Sequence, residues 1–265
     1  MITLLVSLLF NISNSVSCDF NKEIKGVYSL SGPVTLALRD LGLLKNKKLL
    51  GISSFHPVAQ KDYNGKFLPG GIFLSHETIQ SFSEGVLFYD ESRELNRIFN
   101  RYKSIKSIEI KTRGLAPLDA AISIEKQLKP FLVGCDVEGL TSKLKMKMEK
   151  LKGLVRNDST YIFFLGPIKN KKRPELVMVQ DGFVKWLLQE KLIKSYPSEL
   201  SYVNWSARIM NNLLPGALEV GVRDSGSSME IDFKKTDNII NLTYPGALIP
   251  GAGQIDAMVY LFQNI

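Results

Sequence analysis

The segment from residue 26 to residue 94 repeats one pattern, in which a short apolar stretch ends in small or polar residues and leads toward a helical segment. The apolar stretches begin at Gly26, Leu49 and Gly85, and the clearest helical segments begin at Pro33 and Ser92. Strands that alternate with helices predict a parallel sheet, and such sheets receive ligands in the loops at the carboxyl ends of their strands. The sequence therefore predicts an α/β fold that holds a ligand in loops.

The alternation of strands and helices continues along the rest of the chain. Further strands are predicted at 107–111, 160–165, 175–179, 217–222 and 239–242, and further helices at 118–128, 183–190, 205–213 and 254–262. The polar segment 223–236 is predicted to be a surface loop. Residues 135–154 contain almost no helix breakers, and Leu140, Leu144, Met148 and Leu151 recur at helical spacing, which predicts one long helix.

These elements predict two Rossmann-like α/β lobes joined by a single long backbone helix. The expected boundaries are 18–133 for the N-terminal lobe, 134–154 for the connecting helix and 155–265 for the C-terminal lobe. A chain of 265 residues with 45% hydrophobic content is long enough to build a sizeable core in this arrangement.

Residues 1–17 resemble a secretory signal peptide rather than a part of the fold. An apolar run from Ile2 to Phe10 precedes polar residues and a small-residue pattern just before Cys18, although Lys and Arg are missing from its start. We therefore expect export to the periplasm. Cys18 would then be the first mature residue, which makes it a candidate for a lipid anchor. The second cysteine, Cys135, leaves an intramolecular disulfide or a buried free thiol as alternatives.

Charge and motif content exclude several function classes. The formal net charge of +8 comes from dispersed lysines and arginines, so we expect no nucleic-acid partner, and we expect a monomer. The common nucleophile, phosphate-loop, zinc-protease and dinucleotide motifs are missing, and the chain has only two histidines. We therefore expect no enzymatic activity, no cofactor and no metal site. The acidic cluster Asp90, Glu91 and Glu94 is interpreted as a complement to a helix dipole.

Aromatic side chains fall on or near the predicted carboxyl-end loops, where they could grip a flat, largely apolar ligand between the lobes. We predict ligand contacts at Phe55, His56, Tyr89, Trp205 and Tyr244 and expect Lys66 and Arg223 to meet ligand carboxylates. Core packing remains the alternative role of each aromatic residue. Glu77 follows the helix-capping residue Ser75, so it either complements the helix or forms an exposed acidic contact for a partner.

The order of these features resembles the periplasmic substrate-binding proteins of the cobalamin, haem and ferric-siderophore type. The segments that carry the resemblance are 27–42, 50–57, 70–79 and 86–90 in the first half, and 202–206 and 249–257 in the second. The resemblance implies two lobes, a ligand between them and an ABC permease as the partner of a glutamate on each lobe. Glu77 corresponds to the first glutamate, whereas Arg208 stands where the second is expected.

Two functions follow from this resemblance. In the first, the protein captures a cobalamin-, haem- or siderophore-like ligand for an ABC importer. In the second, favoured by Arg208, it is an envelope interaction or sensory module that kept the fold without an importer, because an arginine would turn one docking contact repulsive. The identity of the ligand does not follow from the sequence.

Overall fold

The computed structural model describes residues 17–70, 73–82, 84–102, 105–155, 160–168, 174–178, 182–193, 202–206 and 216–265, and for 174–178 and 202–206 it describes the backbone alone. The strands are β1 (Asp19–Phe20), β2 (Val27–Leu30), β3 (Leu49–Ser53), β4 (Lys66–Leu68), β5 (Val86–Asp90), β6 (Lys106–Ile110), β7 (Leu132–Val133), β8 (Tyr161–Leu165), β9 (Pro174–Met178), β10 (Tyr202–Ser206), β11 (Leu218–Asp224), β12 (Asp232–Thr236) and β13 (Ile239–Tyr244). The helices are α1 (Gly32–Asp40), α2 (His76–Gln80), α3 (Arg93–Phe99), α4 (Pro117–Leu128), α5 (Glu138–Leu154), α6 (Gly182–Gln189) and α7 (Ala252–Asn264). Within these ranges no helix is both long and apolar enough to cross a membrane.

The N-terminal lobe is built on a parallel sheet of five strands in the order β4-β3-β2-β5-β6. The chain builds outward from β2 to β4 and then returns to the other side, so β2 and β5 meet at the point where the strand order reverses. One hydrophobic cluster covers the sheet with α1 and α4, and a second covers the opposite face with α2 and α3. Ligands of open α/β sheets bind beyond the carboxyl ends of strands at this reversal point.

Local sequence explains why α1 begins directly after β2. The side chain of Ser31 accepts a hydrogen bond from the Val34 N–H group, and Pro33 occupies the first turn, where its missing N–H group has no intrahelical partner to lose. Arg39 lies in the last turn, where a positive charge complements the helix dipole. The helix therefore starts at the carboxyl end of β2 and points its N-terminus toward the reversal point.

The C-terminal lobe has a mixed sheet of six strands in the order β10-β9-β8-β11-β13-β12. Its three central strands, β8, β11 and β13, are parallel, whereas β9, β10 and β12 run antiparallel to their neighbours. Two predictions are wrong here. The predicted loop 223–236 contains strand β12, and the helix predicted at 205–213 begins inside strand β10, while residues 207–215 lie outside the described residues.

Helix α5 connects the two lobes and packs against both. It contacts α4 of the N-terminal lobe and α7 of the C-terminal lobe, and its buried face carries Leu144, Met148 and Leu151. An ion pair of 2.6 Å between Lys147 and Asp256 adds a polar link between α5 and α7. The prediction of two α/β lobes joined by one long helix is thus confirmed, although the helix starts at Glu138, later than the predicted 134.

A disulfide joins Cys18 to Cys135 and decides between the two alternatives for these cysteines. It lies beside the two-stranded antiparallel sheet formed by β1 and β7, which brings the start of the N-terminal lobe to the segment that precedes α5. The lipid anchor considered for Cys18 is contradicted by this bond, because acylation of the cysteine would need the same sulfur atom.

Candidate functional site

Three loops at the carboxyl ends of their strands bring the two lobes into contact. Phe55 and Pro57 lie on the loop after β3, and they meet Gly226 after β11 and Gly246 after β13. A methyl group placed on Gly226 would lie 2.9 Å from the carbonyl oxygen of Phe55, and one on Gly246 would lie 3.3 Å from Cγ of Pro57. Glycine is therefore needed for this close approach, and we call the contact the seam.

A crevice of about 240 Å³ lies between the lobes at the carboxyl ends of β5 and β6. The N-terminal lobe contributes Asp90, Glu91 and Arg113 to its lining, and the C-terminal lobe contributes Leu248, Pro250 and Gln254. The crevice thus combines charged groups on one wall with largely apolar groups on the other. Such a combination fits a ligand that has an apolar body and a few polar groups.

Asp90 ends β5 next to the N-terminus of α1, which is the reversal point of the sheet. The Gly32 N–H group donates to Oδ2 of Asp90 at 3.3 Å, whereas Oδ1 is buried and has no hydrogen-bond partner among the described residues. Burial raises the pKa of Asp90 to about 6, against the opposing effect of hydrogen bonds from Ser31 and Gly32. Asp90 thus lies in the wall of the crevice with one oxygen held by the start of α1 and the other covered by the protein.

His56 is buried behind the seam in a polar network. Its Nδ1 lies 2.7 Å from the Thr35 hydroxyl, which lies 2.8 Å from the Ser29 hydroxyl. Burial lowers the pKa of His56 to about 4, despite a hydrogen bond from the ring to the Leu30 backbone. The imidazole is therefore neutral at pH 7, and it holds the loop after β3 against α1 rather than facing a ligand.

On the opposite side of the seam, one carboxylate fixes two loops. Oδ1 of Asp224 accepts hydrogen bonds from the Gly226 N–H group at 2.8 Å and from the Gly246 N–H group at 2.9 Å. The two glycines that contact the N-terminal lobe are thus held by the same side chain. This arrangement sets the shape of the surface that the C-terminal lobe presents to Phe55 and Pro57.

Three of the predicted contact residues lie near the seam in addition to His56. Phe55 is 63% exposed, and Arg223 is exposed at the carboxyl end of β11, directly before Asp224. Tyr244 ends β13, but it is partly buried and its ring lies 5.4 Å from the ring of Tyr260 on α7. Phe55 and Arg223 are therefore the two predicted residues here whose side chains are open to solvent.

The predictions for Tyr89 and Lys66 as cleft contacts are wrong. Tyr89 is buried in the outer cluster of the N-terminal lobe, where its hydroxyl donates to Asn96 at 2.5 Å and its ring packs against Phe99. Lys66 is the first residue of β4, so it lies at the amino end of the parallel sheet, away from the crevice. Neither residue can reach a ligand between the lobes.

The remaining predicted residues lie elsewhere or outside the description. Trp205 belongs to strand β10, and its side chain is outside the described residues, as is Arg208. Glu77 lies in the first turn of α2, and Ser75 accepts a hydrogen bond from the Thr78 N–H group as the N-cap. The capping prediction at Ser75 is thus confirmed. The Glu77 carboxylate is fully exposed, and hydrogen bonds from its own backbone and from Ser75 lower its pKa.

Asp90 and Arg113 were not among the binding residues predicted from the sequence. Asp90 was assigned to the start of the following helix, but that helix, α3, is capped by Ser92, whereas Asp90 faces α1. A signal was present in the sequence, because Asp90 is the last residue of an otherwise apolar strand and therefore lies at the ligand-receiving edge of the sheet. In the described ranges no group of three or more His, Cys, Asp or Glu side chains could hold a metal ion.

Comparisons with known proteins show similarity in structure. No protein-family model and no curated protein matches the chain. The periplasmic haem-binding protein HutB of Vibrio cholerae superimposes with a TM-score of 0.64 at 13% identity, covering 90% of this chain and 97% of that chain. A possible iron-binding, periplasmic solute-binding protein from Staphylococcus epidermidis gives 0.64 at 15% identity, with 92% and 99% covered.

The periplasmic vitamin B12-binding protein BtuF of Vibrio cholerae gives a TM-score of 0.61 at 14% identity, covering 92% of this chain and 99% of that chain. These alignments extend over both lobes and over nearly the full length of each partner. The chain therefore has the two-lobed α/β fold of periplasmic solute-binding proteins, as the resemblance in its sequence implied.

Proposed function

We propose that the protein is an exported solute-binding protein that captures a small organic ligand between its two lobes and delivers it to an ABC importer. One observation carries the proposal: the carboxyl ends of both sheets meet at a seam and a crevice, and α5 joins the lobes beside them. Proteins named for haem and vitamin B12 binding share this fold, which supports a cobalamin-, haem- or siderophore-like ligand.

The crevice supplies the polar groups that such a ligand would need. Arg113 meets a ligand carboxylate, and Glu91 on the same wall meets a positively charged or N–H group of the ligand. Phe55 and Arg223 are exposed near the seam, where they add an aromatic and a positively charged group at the carboxyl ends of the strands. Pockets for drug-sized ligands measure roughly 300–1,000 Å³. Since the crevice measures about 240 Å³, a ligand of haem or cobalamin size requires the space between the lobes to widen.

Separate features support the proposed periplasmic location and the proposed permease partner. Residues 1–17 carry the pattern of a secretory signal, and the disulfide between Cys18 and Cys135 is typical of proteins outside the reducing cytoplasm. Both features support a periplasmic location. Glu77 is an exposed carboxylate on α2 with a lowered pKa, so it stays ionised and suits a contact with an arginine of the permease.

Calorimetric titration with haemin, cyanocobalamin and a ferric hydroxamate siderophore tests the proposal. We expect one of them to bind saturably with one molecule per chain and to raise the melting temperature. Arg113→Ala should weaken the binding of a carboxylate-bearing ligand at least tenfold. Arg97→Ala, which removes an exposed arginine on α3, serves as the matched control and should leave binding unchanged. If none of the three compounds binds, or if the two variants behave alike, the proposed site is rejected.

A second candidate is an envelope interaction or sensory module that kept the fold without an importer. The observation that favours it is the seam, because the lobes already touch there through Phe55 and Gly226. A test in cells separates the two functions. Under the importer proposal, Glu77→Arg abolishes uptake of the bound compound and leaves its affinity intact, and unchanged uptake rejects the docking role of Glu77. If the natural protein binds a compound but its deletion leaves uptake of that compound unchanged, the second candidate is favoured.

A further inference from the structure

A wide groove of about 1080 Å³ lies on the outer face of the N-terminal lobe. We call it the outer groove. It lies over β3 and β4, with α2 as one wall and the loop before β3 as the other. Its floor consists of apolar and aromatic side chains, namely Tyr28, Leu50, Leu68 and Phe82. The outer groove is separate from the crevice, which lies at the carboxyl ends of β5 and β6.

The short helix α2 leaves this part of the sheet uncovered. α2 has five residues and is anchored toward β2, where the Tyr28 hydroxyl donates to the Ser81 carbonyl at 3.2 Å and the ring of Phe82 lies 4.4 Å from that of Tyr28. Leu50 on β3 consequently stays 38% exposed. Gly51, next to Leu50 on β3, has no side chain that could cover the floor. A methyl group added at Gly51 would lie 2.7 Å from Leu68, so a larger residue does not fit there.

Positive charge is concentrated at one end of the outer groove. Lys45 and Lys47 lie in the loop before β3, and Lys66 begins β4, so all three belong to the amino ends of parallel strands. Asn46 between the first two donates to Oδ1 of Asp19 at 2.7 Å, which fixes the loop. None of the three lysines forms an ion pair with an acidic group in the described ranges.

We propose that the outer groove binds a single amphipathic carboxylate of the fatty-acid class. The acyl chain lies on the apolar floor, and the carboxylate meets Lys45, Lys47 and Lys66 at the amino end of the sheet. A single chain suits the site better than a membrane surface, because α2 and the loop before β3 form walls that a flat bilayer cannot enter. The binding site does not depend on the function proposed for the crevice.

Calorimetric titration of the purified protein with laurate, kept below its micelle concentration, tests this site. We expect saturable binding, and binding at least tenfold weaker for dodecyltrimethylammonium, which has the same chain and the opposite charge. The variant Lys45→Glu/Lys47→Glu should weaken laurate binding at least tenfold, equal to about 1.4 kcal/mol. Lys145→Glu/Lys150→Glu changes the net charge equally on the exposed face of α5 and should leave laurate binding unchanged.

A second variant tests the floor rather than the lysines. Leu50→Asp alters a side chain that is already partly exposed, so the fold should tolerate it, and it should remove laurate binding by placing a negative charge under the acyl chain. The proposal is overturned if laurate does not bind, if the cationic compound binds as well, or if the control pair loses as much affinity. It is also overturned if only phosphatidylglycerol vesicles bind, since the occupant would then be a membrane surface.

Discussion

Two buried titratable groups, Asp90 and His56, lie on either side of the start of α1 and should respond to pH in opposite directions. Burial raises the pKa of Asp90 from 3.8 to about 6 and lowers the pKa of His56 from 6.5 to about 4. A pKa difference of one between the folded and unfolded states corresponds to 1.36 kcal/mol. Each group therefore changes the free energy of unfolding by about 3 kcal/mol at most across this range.

The two groups have opposite effects on stability because Asp90 binds its proton more readily in the folded protein, whereas His56 binds its proton more readily in the unfolded chain. As the pH falls from 6 to 4, the folded protein protonates Asp90 before the unfolded chain does, so this group adds stability. Over the same range the unfolded chain protonates His56 before the folded protein does, so this group removes stability. The two contributions nearly cancel in the natural protein, and their effects become visible only when one group is replaced.

Urea unfolding of Asp90→Asn and His56→Gln between pH 4 and pH 7 measures the two contributions. Relative to the natural protein, Asp90→Asn should lose up to about 3 kcal/mol as the pH falls from 7 to 4, and His56→Gln should gain a similar amount. The double variant should follow the natural protein, and Glu230→Gln, at an exposed carboxylate, provides the control. If the single variants keep a constant difference from the natural protein, the burial assigned to these two groups is refuted.

Two further predictions concern the disulfide and one contact between the lobes. Replacing both cysteines by serine (Cys18→Ser/Cys135→Ser) should reduce the free energy of unfolding by about 4–5 kcal/mol, because the disulfide closes a loop with a sequence separation of 117. Urea unfolding of the natural protein with and without reductant checks this value. Gly182→Ala should destabilise the protein by about 1–3 kcal/mol in a thermal melt, because the added methyl group would lie 1.7 Å from the Leu115 carbonyl of the other lobe. The control Gly153→Ala places a methyl group that meets no atom within 4 Å, so it should stabilise α5 by about 0.5–1 kcal/mol. If Gly182→Ala and Gly153→Ala change stability equally, the contact between Gly182 and Leu115 is contradicted.

The sequence allowed the N-terminal lobe to be predicted well because its signals are local. Apolar strands, the cap at Ser31 and the following Pro33 determine β2 and α1 with little help from distant residues. The second lobe was harder to predict, because an edge strand such as β12 is polar and partly exposed along most of its length. Its pairing with β13 comes from tertiary contact and leaves no apolar pattern in the sequence.

The candidate site was harder to predict than the fold because side-chain direction at a strand end depends on the sheet. Tyr89 and Asp90 are consecutive residues of β5, and their side chains point to different surroundings. Tyr89 enters the outer core, while Asp90 meets the N-terminus of α1. The sequence placed both near the edge of the sheet, but it could not show which of them faces the other lobe.

The structure also limits how the lobes can admit a large ligand. Bending α5 would break backbone hydrogen bonds and would separate Leu144, Met148 and Leu151 from the helices packed on either side. The seam, in contrast, consists of loops held by single side chains, with Asp224 on one side and His56 on the other. Loops absorb backbone rotation without loss of a helix, so displacing the loop that carries Phe55 and Pro57 can leave the helix contacts between the lobes in place. A ligand larger than the crevice should enter by displacing the loop that carries Phe55 and Pro57.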